Sequence, residues 1–185
     1  MKRSKDGFTL VELIVVMAII ALLAVVALGG FRSTQFKARD GQRKSDLKQV
    51  SNALEVLYND YGRYPGSSGG NILACSYNPD NPDDPTQPNI SGTCTWGTSE
   101  MAWVEASNKT IYFRVLPEDP SSRIYFYRST NNGQRYQLYA SLENTNDPDL
   151  ITIDLTAFAV GTAPNCGVND CNFAITSANI TPFDD

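Results

Sequence analysis

Lys5-Asp6-Gly7-Phe8-Thr9-Leu10-Val11-Glu12, followed by an unbroken apolar run from Leu13 to Leu28, is the stretch that decides how this chain folds. All sixteen residues of the run are apolar, and Gly29, Gly30 and Phe31 extend it to nineteen. As an α-helix the 24 residues from Phe8 to Phe31 would measure about 36 Å, enough to cross a hydrocarbon core of roughly 30 Å. Two other readings compete with a membrane helix. A core helix would need burial on every side, which a chain of 185 residues does not normally supply. A secretory signal peptide finds small residues at Ala27-Leu28-Gly29, but its apolar region usually runs to only about 7–15 residues. Neither a signal peptide nor a plain anchor needs Glu12, and an acid inside an apolar helix is costly enough to mark a functional position.

Outside this run the chain is polar and acidic. It holds 15 basic and 20 acidic side chains, and residues 1–7 carry Lys2, Arg3 and Lys5 against Asp6. The remaining 178 residues therefore hold 12 basic and 19 acidic side chains, a balance of −7. Such a body lacks the positive field of a general nucleic-acid binder. The basic flank predicts a cytoplasmic amino terminus, with everything after Phe31 on the other side. There is no histidine, which removes Ser-His and Cys-His nucleophilic pairs and the commonest zinc ligand. Asp83-Asp84 and Asp184-Asp185 are adjacent carboxylates with no sign of a cleft, so an enzyme is not expected.

Gly7-Phe8 and the Glu12 that follows resemble the class III leader of the type IV pilin and type II secretion pseudopilin family: a short basic leader, Gly at the cut, Phe, and Glu at the fifth mature position. The resemblance implies cleavage between Gly7 and Phe8 by prepilin peptidase and N-methylation of Phe8. It also implies a salt bridge in the filament between the Glu12 carboxylate and the Phe8 amine of a neighbouring subunit. The implied partners are identical or related pilin subunits, the peptidase, an inner-membrane assembly platform, and membrane lipid before assembly. Many relatives carry a proline near Gly29, where this chain has Gly29-Gly30.

From Phe31 to Tyr61 there is no proline, and Leu47, Val50, Leu54, Leu57, Tyr58 and Tyr61 form one helical stripe. The pattern predicts a continuous helix over about 8–61, apolar all round in its first half and amphipathic in its second. Lys37, Arg39, Arg43, Lys44 and Lys48, interleaved with Asp40 and Asp46, read as a solvated face, with subunit contacts as the alternative. Gly62-Arg63-Tyr64-Pro65 should end the helix. The 39 residues from Gly62 to Glu100 then hold 5 of the 10 prolines and 6 of the 13 glycines, too long a connection to stand without fixing. Cys75 and Cys94 lie within it, and Cys166 and Cys171 near the carboxyl end. Four cysteines outside the membrane without histidine favour disulfides, and of three connectivities the local pairs are the simplest.

Arg123–Ser129 and Arg135–Leu142 read as strands of a hairpin turning at Asn131-Asn132-Gly133, with weaker strands at Leu150–Leu155 and Asn172–Thr176. The expected fold is α+β and pilin-like, the long helix packing on a small antiparallel sheet. Its divisions are a leader at 1–7, an assembly and membrane half-helix at 8–31, an amphipathic half at 32–61, and an exported head at 62–185. Leu116-Pro117 through Asp119-Pro120 and the hairpin resemble the major-pseudopilin branch. That branch implies a structural calcium in the following loop, for which Asn144, Asp147 and Asp149 are the oxygen donors; the spacing is not that of an EF-hand, and a solvated turn is the reading it favours. Asn89, Asn108 and Asn179 open glycosylation sequons. The expected function is that of a filament subunit, serving a surface pilus or protein secretion. The alternative is an anchored, exported binding domain that does not polymerise.

Overall fold

The structure, a computed structural model, describes residues 7–75, 92–105, 108–153, 158, 163–178 and 180–182, with the side chains at 26–30, 32, 103–105, 108–109 and 131 outside the description. The leader before Gly7, the interior of the loop between Cys75 and Cys94, and the sequons at Asn89, Asn108 and Asn179 fall outside it in whole or in part.

One helix, α1, runs from Leu10 to Tyr61 over 52 residues and passes through Gly29-Gly30 without a break. It starts two residues later than the sequence predicts, because Thr9 is its cap rather than part of it. It stops at Gly62, whose N–H donates to the Tyr58 carbonyl at 2.7 Å while its φ of +71° turns the chain away. Glycine adopts that left-handed conformation without the penalty a Cβ would bring. Two compact units divide the chain, Met1–Ala38 and Arg39–Asp185.

The second unit holds the rest of α1 and three small antiparallel sheets. β1 (Gly66–Ser68), β2 (Asn71–Leu73) and β3 (Thr93–Cys94) form the first sheet, and β4 (Met101–Glu105) pairs with β5 (Asn108–Phe113) in the second. β6 (Phe126–Thr130), β7 (Arg135–Ala140) and β8 (Phe173–Thr176) form the third, in that order. The hairpin read from the sequence is β6–β7, in register Phe126↔Tyr139 to Thr130↔Arg135. Its turn places Asn132 at φ 53° and Gly133 at φ 78°. A Cβ at Gly133 would lie 2.7 Å from the Tyr64 carbonyl oxygen, so the turn can press on the segment leaving α1 only with glycine there. The weak strand at Leu150–Leu155 is not formed over 150–153: the turn at Asp147 bends the chain, and Ile151 gives one backbone bond to the Asn172 carbonyl. Residues 154–155 lie outside the description.

Leu47, Val50, Leu54 and Leu57 are all fully buried, as their period requires, in one cluster with Leu116, Tyr127, Tyr136, Leu138 and Ala140. Each such aliphatic side chain contributes roughly 1.5–3 kcal/mol. The tyrosines enter this core because their hydroxyls are satisfied. Tyr127 donates to the Pro65 carbonyl at 2.7 Å, Tyr64 donates to Glu55 Oε2 at 2.9 Å, and Tyr136 bonds Ser51 Oγ and Glu55 Oε1.

The charges in the middle of α1 are only in part the solvated face that the sequence suggests: Lys37 and Lys48 are exposed, Arg39, Lys44 and Asp46 are half-buried, and Asp40 and Arg43 are buried. Arg43 has 0% exposure and Asp40 1%. Arg43 donates from Nε and Nη2 to the two oxygens of Asp119 at 2.6 and 2.9 Å, and from Nη1 to Asp40 Oδ1 at 2.7 Å. Its Nη1 also lies 2.9 Å from Glu143 Oε1, and Nη2 donates to Ser121 Oγ at 2.8 Å. Arg39 grips Glu143 from the other side, while Asp40 accepts the backbone N–H groups of Glu143 and Asn144. Asp40 and Arg43 continue the three-and-four spacing of the buried stripe at 47, 50, 54 and 57; their charge alone points to solvent, and carboxylates from two distant loops come to meet the guanidinium on that inward face.

Two outcomes are expected from this cluster. Arg43→Met would leave Asp40 and Asp119 without their cation and Glu143 with Arg39 alone, lowering stability by about 3–5 kcal/mol in urea unfolding of the full chain in detergent micelles. The second concerns pH. Hydrogen bonds from Arg39 hold Glu143 down at about 2, against burial and with help from Arg43. Burial pushes Asp119 up, but bonds from Arg43 and Ser121 outweigh it and hold the carboxyl below its ordinary value. A depressed carboxyl stabilises the fold above its unfolded pKa, so stability should be lost as pH falls from about 4.5 toward about 2. Asp46, raised by burial, works in the opposite sense. Glu143→Gln should flatten the acid limb of a stability-against-pH curve; an unchanged limb would assign it to other groups.

Candidate assembly site

The first unit begins with the residues that the sequence singles out. Thr9 and Glu12 form a reciprocal cap at the start of α1. The Thr9 N–H donates to Glu12 Oε2 at 2.8 Å, its hydroxyl donates to the same oxygen at 2.7 Å, and the Glu12 N–H returns a bond to Thr9 Oγ1 at 3.3 Å. This is a capping box, with Thr at the cap and Glu three residues on. Thr9 is a site residue that the reading of Glu12 as a misplaced charge passes over, although Thr9-Leu10-Val11-Glu12 ahead of an apolar run carries the signal.

Gly7 and Phe8 stand immediately before the cap, and Phe8 is 85% exposed. Every side chain described from Leu10 to Val25 is exposed as well, among them Met17, Ile19, Ile20, Leu22 and Leu23. A continuous apolar surface of this kind marks a site for lipid or for other protein. Among the described residues no helix is long and apolar enough to cross a membrane. The apolar run of the sequence continues into Val26-Ala27-Leu28, whose side chains lie outside the description.

In the second unit the cysteines pair locally, Cys75 with Cys94 and Cys166 with Cys171, each with a Cα–Cα distance of 5.2 Å. The first pair ties β3 to the end of the segment that follows β2, and the second lies in a cluster with Tyr139 and Phe158. The three oxygen donors proposed for calcium do not converge on a vacant point. Asp147 Oδ1 and Asp149 Oδ2 both accept from Lys44 Nζ, at 2.5 and 2.6 Å. Asn144 Oδ1 accepts from the Asn146 N–H at 3.3 Å within its own turn. Among the described residues no group of three or more acidic or thiol side chains is placed to hold a metal ion. Calcium, which takes six to eight oxygens, does not fit a point held by an ammonium.

Residues 2–28 match the prokaryotic N-terminal methylation motif. Over 75% of its length the chain is 27% identical to the type II secretion system core protein G of Pseudomonas aeruginosa, covering 84% of that protein. It is 28% identical to the core protein G of Dickeya chrysanthemi over 65% of each chain. To the type IV major pilin protein PilA of Myxococcus xanthus it is 36% identical, over 31% of this chain and 26% of that one. No solved structure matches. A methylation motif spanning the start of the long helix, small antiparallel sheets in the second unit, and relatives of both kinds make this chain similar to the type IV pilins and the type II secretion pseudopilins.

Proposed function

We propose that this chain is a structural filament subunit, cut between Gly7 and Phe8, methylated on Phe8, and polymerised through the apolar half of α1. The observation that carries this reading is a capped carboxylate, Glu12, standing four residues from Phe8 at the head of an exposed apolar helix. Before assembly the segment 8–31 lies in the membrane with its basic flank on the cytoplasmic side; its length and the Lys/Arg bias support this. In the filament, neighbouring helices replace the lipid, and the Glu12 carboxylate meets the Phe8 ammonium of the next subunit. Thr9 engages Oε2 of Glu12, while a carboxylate offers about four acceptor positions over two oxygens, so the cap and the intersubunit pair are compatible. The similarity that runs furthest along the chain is to secretion core proteins, which supports a secretion pseudopilus over a surface pilus.

The pairing is tested with two substitutions. Glu12→Gln keeps a side chain suited to the capping box and removes the charge, whereas Glu12→Ala removes both. Both variants should still be processed, and both should lose filaments in sheared or overexpressed preparations. Filaments at normal yield from Glu12→Gln would leave only a capping role for the residue. Processing is tested separately by mass spectrometry of the mature amino terminus. The expected species begins with N-methylated Phe8; an intact Met1, or a terminus at Gly30, would support an anchored binding domain instead.

A further inference from the structure

We propose that the ammonium of Lys44 is the resident cation of the acidic loop 143–149, standing where a divalent ion would otherwise be required, so that the head of this protein folds without calcium. Lys44 leaves α1 one residue after Arg43, and its Nζ reaches Asp147 Oδ1 at 2.5 Å and Asp149 Oδ2 at 2.6 Å. The ammonium also lies 5.7 Å from the centre of the Phe173 ring, which faces it from β8. The lysine side chain is 26% exposed and that of Asp147 13%, so the closer pair is shielded from bulk water.

The rest of the loop is organised around protein donors too. Asp147 Oδ1 accepts the Asp149 N–H at 3.0 Å, closing a turn, and Asn144 Oδ1 accepts the Asn146 N–H. The backbone N–H groups of Glu143 and Asn144 go to Asp40, and the Glu143 carboxylate goes to Arg39 and Arg43. A divalent cation, which takes six to eight oxygens in all, would have to expel an ammonium that already bonds both Asp147 and Asp149. Partial burial pulls Lys44 toward neutrality, but the bonds to Asp147 and Asp149 outweigh it, and the group stays charged at neutral pH. The second cation–loop contact therefore continues the one made by Arg43: two consecutive residues of α1 neutralise carboxylates of the same returning segment.

The test uses the full chain in detergent micelles, with thermal unfolding followed by circular dichroism in excess EDTA and in calcium chloride at about 1–10 mM, a range that would fill an extracellular-type site. A resident ion at one hundred times its Kd would raise Tm by roughly 5–10 °C. The expected result is the same Tm in both buffers. Lys44→Met, which keeps an apolar stem over Phe173, should lower Tm, and the loss should be smaller when Asp147→Asn and Asp149→Asn are already present. Lys44→Gln provides the same comparison if the methionine variant fails to fold. A calcium-dependent rise in the Tm of the unaltered chain would overturn the proposal. So would losses that simply add, because they would mean that Lys44 and the two aspartates do not act on one another.

Discussion

The guanidinium of Arg43, fully enclosed and bonded to Asp40, Asp119, Ser121 and Glu143, is the contact on which the arrangement of the second unit depends. Removing an ion from water costs several kcal/mol, and a buried pair is often no more stabilising than a well-packed apolar substitute. What such a cluster supplies is position. The planar fork of arginine donates to the Asp119 carboxylate in one geometry, and Asp40 fixes the backbone of the returning loop at the same level of α1. The strands are two to six residues long and fall into three separate sheets. Sheets so short do not specify where the intervening loops go. The ionic cluster does, by drawing segments 76 and 100 residues downstream of Arg43 onto one turn of helix.

That division of labour explains which parts were legible in the sequence. The stripe from Leu47 to Leu57 announced itself because its only requirement is period, and all four of its aliphatic positions in the core cluster are fully buried. The β6–β7 hairpin was equally readable from Asn131-Asn132-Gly133 between aromatic strands, since a turn needing positive φ restricts its residues. Arg43 stands four residues before Leu47, on the period of the stripe, but its charge points to solvent and hid that position. Its partners lie in loops whose approach to the helix is a tertiary fact. β1, Gly66-Ser67-Ser68, has no strand propensity of its own and is a strand because β2 and β3 pair beside it. Trp103 and Val104 opposite Thr110 and Lys109 did carry strand-forming character, and β4–β5 could have been recovered from it.

The acidic loop is a case where residue types pointed to one chemistry and geometry to another. Oxygen donors at 144, 147 and 149 are what a hard cation takes, and the same donors equally suit an ammonium at hydrogen-bond distance. Composition cannot separate the two, because both cations draw on the same carboxylates and differ in how many oxygens they gather. The difference lies in the helix, in whether α1 projects a lysine at that level. Lys44 sits one position beyond the arginine that fixes the loop, so the register imposed by Arg43 also delivers Lys44 to its carboxylates.

Glu12 poses the related problem of a charge in apolar surroundings, and Thr9 supplies part of the solution. Two Thr9 donors on Oε2 partly replace the water that the carboxylate loses in lipid or between helices, which reduces the cost of its burial. They also fix its rotamer. A free glutamate side chain would lose rotamer entropy worth about 1.5–2 kcal/mol on being ordered at a subunit contact, and a carboxylate already held by its cap has lost much of that before assembly. Under the proposed pairing the remaining requirement is a cation, and the uncut chain has none at Phe8: its nitrogen there is a peptide N–H. Cleavage after Gly7 would convert that nitrogen to an ammonium, so under this proposal the step that removes the leader would also create a charge able to match a carboxylate prepared in advance by the first turn of the helix.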